Sequence, residues 1–387
     1  MKYALFFNSL IFISPICAYY LGGAKLPTLF IALVTIVYLV FGLRKINIYA
    51  GFYPMLAVFL LFSVSALYWQ DMRVVSVPIY FYVALLLGSV CTRDDVSDFV
   101  DLASYFMLFL CIGAVLSMFY VVLGGGPIFT FPNPDGRLNY VFFGTMTNSY
   151  WSGLIRPSGI FDEPGAFSFF ICAVVTLRKI YNKSNNISWA LLVLGMCTLS
   201  IAHVVFVIFY FLSERPDTRR ILVMFLILFL SFLLIKNSSS FELFQQVFLN
   251  RFQIGDDGMM KGDNRSESIF AAIEILMNNS KVIIWGLSPD SYLNSVEYMR
   301  SSGLPEIGSN PLSQLVRMGL LLSCVYYTVL LILFSTVRKG AKYLAVVGFG
   351  MLLLQRDFIY VVSYSMFVVL IVRASMNIET NKNIESQ

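Results

Sequence analysis

Charge is scarce in this chain: Asp, Glu, Lys and Arg make up 13% of 387 residues, about half their share in a soluble domain. That shortage excludes a soluble fold of two or three domains, because no core of this size could hide the remaining apolar side chains from water. Cysteine is sparse too, with six in all. Cys17, Cys91, Cys111, Cys172, Cys197 and Cys324 form no C-x-x-C pair, and the long polar segments contain none of them. A disulfide framework is thereby excluded, and these are small packing residues. There is a single histidine, His203. Internal repeats and low-complexity stretches are lacking, and no nucleic-acid partner is expected.

What the chain has in abundance is apolar sequence, 58% of it, gathered into blocks of about 17–25 residues without Lys, Arg, Asp or Glu, the length that crosses a hydrocarbon layer. Spans are expected near 4–21, 26–43, 50–68, 73–91, 102–123, 164–177, 221–235 and 312–334. The first, after Lys2, is long for a signal-peptide core and is read as a retained span. Two longer blocks, 187–212 and 343–372, need dividing, and the distribution of positive charge decides how. If 187–212 is a helical hairpin turning near Ser200, and 343–372 breaks at Gln355-Arg356-Asp357, the clusters at Lys2, Arg44/Lys45, Arg93, Arg178/Lys179/Lys183, Arg215/Arg219/Arg220, Arg338/Lys339/Lys342 and Arg373/Lys382 all share one side. Undivided blocks scatter them. The expectation is an all-α polytopic bundle of about twelve segments with both termini cytoplasmic. Residues 1–375 make one transmembrane domain, followed by a disordered tail, 376–387. The halves of the divided blocks are too short to span upright and are expected to be partly re-entrant.

Two long segments, 124–163 and 236–310, are left outside, and both are expected to contain short helices. Long outer segments on a compact bundle are where function is sought. In the second, Phe241, Phe244, Phe248 and Phe252 recur at helical spacing, the pattern of a helix lying on a membrane surface. A further helix is expected from about 265 to 278, capped by Asn264 and Glu267 and burying Ile269, Ala272, Ile273 and Leu276.

The strongest local pattern is 156–165, RPSGIFDEPG, where an arginine and a carboxylate pair precede an apolar span. Pro164 suits the first helical position, so Glu163 is the expected N-cap and Asp162 its neighbour. Capping explains an acid here; it does not explain Arg156. A second group, Arg251, Arg265 and Arg300, lies in an outer segment whose acids outnumber its bases. Such arginines can grip phosphate oxygens with paired hydrogen bonds, where lysine offers only a point charge. Asn310, before Pro311, opens another span and is a natural N-cap. Asp94, Asp95 and Asp98 have a metal-binding spacing, yet a lone acidic cluster at a helix start is favoured by the helix dipole without any metal. His203, inside an apolar block, is either functional or a neutral ring bonded to a neighbouring helix.

With these residues in view, the chain resembles the Wzy-type O-antigen polymerases, within the wider group that includes the O-antigen ligases. The resemblance rests on the order of its motifs: Arg156, Gly159, Glu163 and Pro164 leading into a central span, then Thr198-Leu199-Ser200, an arginine helix at Arg265, WGLSPDSY (285–292), a closing Asn310, and MGLL (318–321). Where the ligases carry a histidine before that asparagine, this chain has Ser309, which favours polymerase over ligase. The resemblance implies a glycosyltransferase of the cell inner membrane, acting in lipopolysaccharide biosynthesis. It would move a glycan from undecaprenyl pyrophosphate onto a second lipid-linked repeat. It further implies Glu163 and Arg156 as catalytic residues and Arg265 and Asn310 as substrate contacts, to which the residue patterns themselves add Asp162 as a catalytic acid and Arg251 and Arg300 as phosphate contacts. The implied surroundings are membrane lipids, a chain-length regulator and a flippase, with no cofactor and no metal. A ligase and a lipid-linked oligosaccharide flippase stand as the alternatives.

Overall fold

The computed structural model describes residues 1–20, 48–132, 137–151, 153–214, 264–293 and 310–384, with isolated positions at 33, 37, 298, 301–304, 307 and 308. The described residues are mostly helical. Three helical stretches among them are long and apolar enough to cross a membrane: Arg73–Val90, Arg93–Val122 and Ser313–Lys339. The other helices are shorter or broken, so these residues do not show twelve full spans.

The Arg93–Val122 helix starts from a capping box in which Thr92 and Asp95 each accept the other's backbone N–H. Its 30 residues reach about 45 Å, more than a hydrocarbon layer needs. Tyr105, Phe109, Ile112, Leu116 and Phe119 form an exposed apolar stripe at steps of four and three along it. Ala103, Met107, Leu110, Cys111 and Ala114 bury the opposite face. An apolar stripe on the outside of a bundle is what contact with lipid requires.

Beside it lies the Pro164–Ile180 helix, buried over nearly its whole length. Its last turn carries Arg178, 2% exposed, which donates to Ser188 Oγ and Ser104 Oγ at 3.0 Å and to the Ser184 carbonyl at 2.7 Å. The chain then climbs back through the Asn185–Gly195 helix, turns at Met196–Thr198, and descends through Ile201–Ser213. Leu199 takes the left-handed conformation, φ +49°, that reverses the direction. Asn185 donates to Glu214 at 2.6 Å, and Lys179 is ion-paired with Glu214. Both ends of the hairpin therefore meet at the Arg178 end of the bundle. With 11 and 13 residues, the two helices reach only about 16 and 20 Å, half a membrane each. The turn falls where the charge distribution put it.

The second long block breaks as well, into Leu344–Leu353, a 3-10 turn at Phe358–Tyr360, and a helix from Val362. That last helix runs to Ile384. Once anchored in a core, a helix gains one hydrogen bond per added residue and needs no new nucleus.

The segment 124–163 departs from the expectation of short helices. It folds into a three-stranded antiparallel sheet in the order β1 (Phe129–Pro132), β2 (Leu138–Val141), β3 (Met146–Thr147), followed by the hairpin β4 (Tyr150–Trp151) and β5 (Leu154–Ile155). Thr130 faces Tyr140, and Tyr140 in turn faces Thr147. Aromatic and β-branched residues in short runs between Pro- and Gly-bearing sequence favour strands over helices.

In the segment 236–310 the Asn264–Asn278 helix forms, but rotated from the expected face. Ser268, Ala272 and Ile275 are buried, while Ile273 is exposed. The cause is polar: Ser268 Oγ is held by Asn310 at 3.0 Å. The following helix, Ser280–Trp285, packs against Ser313–Ser335 through two glycines. Gly286 has φ +80° and Gly319 φ +71°, the latter breaking the helix it sits in. A Cβ on Gly286 would lie 2.3 Å from the Arg317 carbonyl oxygen, and one on Gly319 2.3 Å from that of Ile284. Both lie in the paired motifs WGLSPDSY and MGLL, so the motifs mark a backbone-to-backbone contact. Gly286→Ala or Gly319→Ala should cost about 2 kcal/mol or more, from overpacking and a strained φ together. Thermal unfolding of the detergent-solubilised protein measures it; an unchanged melting temperature would overturn the account.

Candidate active site

The Pro164–Ile180 helix begins where the sequence places it, with Glu163 at the N-cap and Pro164 in the first turn. Glu163 has the extended backbone of a cap, φ −147° and ψ 157°, but its carboxylate makes no capping hydrogen bond. It is ion-paired instead with Arg356, which sits in the break between the Leu344–Leu353 and Val362–Ile384 helices. Gly165 makes the pairing possible, since a Cβ there would lie 2.6 Å from an Arg356 guanidinium nitrogen. On its other side, the guanidinium lies 5.8 Å from the centre of the Tyr364 ring, a cation–π distance. Burial works against the charge on Arg356, and Tyr364, Glu163 and Asp162 outweigh it, holding the group firmly protonated.

Asp162 stands beside this pair. Its backbone carbonyl accepts from Asn148 Nδ2 at 3.1 Å, which ties it to the loop after β3. Burial, and then the adjacent charge of Glu163, push the Asp162 carboxyl up to about 6. That value suits a group that must take up and release a proton near neutral pH.

Arg156 follows β5 and faces the hairpin tip. Its Nε donates to the Thr198 carbonyl at 3.4 Å and its terminal nitrogen to the Leu199 carbonyl at 3.3 Å. These carbonyls close the half-span that starts at Asn185, so the arginine meets the negative end of a helix dipole. Thr198-Leu199-Ser200 is thus a landing place for Arg156, which pins the sheeted segment to the hairpin of short helices.

On the far side of Arg356, Asp357 faces the start of the Ser313–Ser335 helix. It is hydrogen-bonded by Gln314 and ion-paired with Arg317 at 3.4 Å. Burial raises the Asp357 carboxyl, against the pull of Arg317. Two acid–arginine pairs, Glu163–Arg356 and Asp357–Arg317, therefore stand back to back in the break at 354–361. Sequence reasoning used Gln355-Arg356-Asp357 only to divide a span. The missed clue was the ionisable pair itself, because charge interrupting an apolar block is costly without a task.

Asn310 is not free to contact a substrate. It is 2% exposed, accepts from Leu312 N at 2.8 Å, and donates to Ser268 Oγ at 3.0 Å and the Gly308 carbonyl at 3.1 Å. An amide engaged on both its oxygen and its nitrogen joins two helices, and that is its role. Arg265 lies in the first turn of the Asn264–Asn278 helix, but its side chain, like the whole of Arg251, Arg300, Ser309 and the 241–252 segment, lies outside the described residues.

Two other sequence candidates are absorbed by the fold. His203 is fully buried, bonded to the Leu192 carbonyl at 2.9 Å and to Ser168 Oγ at 3.2 Å, so it ties three helices together. Asp95 serves its capping box, and Asp98 is ion-paired with Lys2 at 3.2 Å.

No protein-family model, curated protein or solved structure matches the chain.

Proposed function

We propose that the chain is a membrane glycan polymerase, which transfers a sugar chain from undecaprenyl pyrophosphate onto a second lipid-linked repeat. The observation that carries this reading is at Glu163. An acid placed to cap a helix leaves that task to pair with an arginine beside a second carboxylate of raised pKa, at the rim of an apolar bundle. In the reaction, the acceptor sugar hydroxyl attacks the anomeric carbon of the donor. The bond from that carbon to the pyrophosphate oxygen breaks, and its electron pair leaves with the pyrophosphate. The hydroxyl proton passes to a carboxylate, a role that Asp162, raised to about 6, suits, while Glu163 positions Arg356. A departing pyrophosphate is a weak base and needs charge neutralisation more than a proton. Arg356, Arg156 and Arg265 are the candidates to provide it. Half-spans beside the site offer a lipid-linked substrate a lateral way in.

The arrangement belongs to a twelve-segment inner-membrane topology, with the Arg178–Glu214 end cytoplasmic. Reporter fusions at residues 217 and 340 should read inside, and those at 140 and 258 outside. An outside reading at 217 would refute the hairpin topology. The function is tested on a gel of surface polysaccharide from a deletion strain. A single repeat left on the lipid core is the expected result; complete loss of repeats would point to a ligase or flippase instead.

A further inference from the structure

The Asn264–Asn278 helix carries a wider apolar arc than its own core covers. Ala272 and Ile275 pack inward on Val282, Ile307 and Val316, and Ser268, on the same face, is held by Asn310. A second stripe, Phe270, Ile273 and Met277, recurs at helical spacing on another face, and these residues are 61%, 37% and 81% exposed. Ile269 and Leu276, partly buried, join the two apolar faces on one side of the wheel. On the other side lie Glu274 and Asn278, both exposed, which give the helix a polar edge. One side against protein, one bare apolar side and a polar edge describe a helix lying in a membrane surface.

The bare stripe does not stand alone. In the next helix, Ser280–Trp285, Ile283 and Ile284 are exposed too. The Ile284 carbonyl lies against Gly319, and the following residue, Leu320, is exposed on the same membrane-length helix as Leu331. Trp285 stacks on Tyr68, with ring centres 3.8 Å apart and planes 5° apart, and its carbonyl accepts from Trp69 Nε1 at 3.2 Å. Tyr68 and Trp69 end the Ile48–Trp69 helix, along which Leu56, Leu60, Val64 and Leu67 form an exposed apolar stripe at steps of four and three. The apolar outer surface of two bundle helices thus continues onto 280–285, across a Trp–Tyr pair of the kind that marks a membrane–water boundary. Single exposed apolar residues need no explanation, whereas a continuous patch marks a contact surface. We propose that the Asn264–Asn278 and Ser280–Trp285 helices lie in the bilayer surface, with Phe270, Ile273, Met277, Ile283 and Ile284 among phospholipid acyl chains. Asn310 and the Gly286–Gly319 contact tie both helices to the start of Ser313–Ser335. The lipid seat therefore fixes the depth of that start, and of the 354–361 break that Gln314 and Arg317 grip. It depends on the chain crossing a membrane and goes beyond the glycan reading.

The test is photocrosslinking of the full-length chain in liposomes of phosphatidylethanolamine and phosphatidylglycerol. The photoreactive residue p-benzoylphenylalanine takes the place of Phe270, Met277 or Ile284 in turn. All three are exposed, so packing should be undisturbed, and an unchanged melting temperature checks this. After irradiation, the intact mass should show phospholipid attached at each of the three positions. The same probe in place of Asn278, on the polar edge, should lose that adduct. Crosslinks to a second copy of the chain at 270 and 277, with no lipid attached, would make the stripe a protein interface and overturn the proposal. Absence of any adduct, or lipid labelling at 278 as strong as at 270, would overturn it too, since the stripe would then face water or have no preferred side. The two readings fail separately: normal polysaccharide in the deletion strain sinks the polymerase, whereas lipid adducts confined to the apolar stripe would still establish the seat.

Discussion

Glu163→Gln should leave the protein in the membrane and reduce chain growth by roughly 10²–10³, the cost of losing one preorganised charged contact at a reacting centre. A cap would behave differently. It needs only a side-chain acceptor, so Gln, Asn or Ser would cost about 1 kcal/mol or less, and protein level and activity would fall together. The Glu163 carboxylate makes no capping hydrogen bond and pairs with Arg356 instead. One complication is that Glu163→Gln strands a half-buried guanidinium, and an orphaned charge is itself destabilising. The double variant Glu163→Gln/Arg356→Gln resolves it by removing both charges. Its melting temperature should recover towards wild type while polysaccharide chains stay short. Full-length chains from the double variant would make the pair a structural ion pair and nothing more.

How much of this could be read from the sequence depends on the range of the interaction. The start at Pro164, the turn at Ser200 and the break at 355–357 were legible because each is set locally, by a cap, a turn or a charge within an apolar run. Glu163 was picked out, but its partner Arg356 was not, because the two meet only when the last divided block folds back on the Pro164–Ile180 helix. The strands of 124–163 are only faintly legible, in the composition of Thr130, Phe131, Tyr140 and Val141, because runs of two to four residues are too short for a period of two to stand out. Gly286 and Gly319 were noticed within motifs without a physical role, since a backbone contact between two glycines leaves no periodic trace. Asn310 follows neither expectation: the Ser313–Ser335 helix has Leu312 at its N-cap with no side-chain cap bond, and the Asn310 amide instead accepts from Leu312 N and donates to Ser268 Oγ, linking two segments.

Asp162→Asn should stop chain growth, with a loss of about 10²–10⁴, the usual worth of a positioned proton acceptor. The variant keeps the backbone carbonyl that accepts from Asn148, so the loop should hold its shape. The pH dependence gives the sharper test. The Asp162 carboxyl is pushed up to about 6, by burial first and by Glu163 second. A base acts only when ionised, so activity should be low below that pH, rise through it, and level off above. Glu163→Gln removes the neighbouring negative charge and should move the residual activity's rise to lower pH. Stability runs the other way. An acid whose pKa is raised on folding favours the folded state while protonated, and that contribution is lost as pH rises from the ordinary aspartate range through about 6. Asp162→Asn cannot ionise, so at neutral pH it should be as stable as the wild type or more so, while inactive. Stability kept or gained with activity lost marks a residue retained for chemistry; normal chain lengths from Asp162→Asn would remove it from the mechanism.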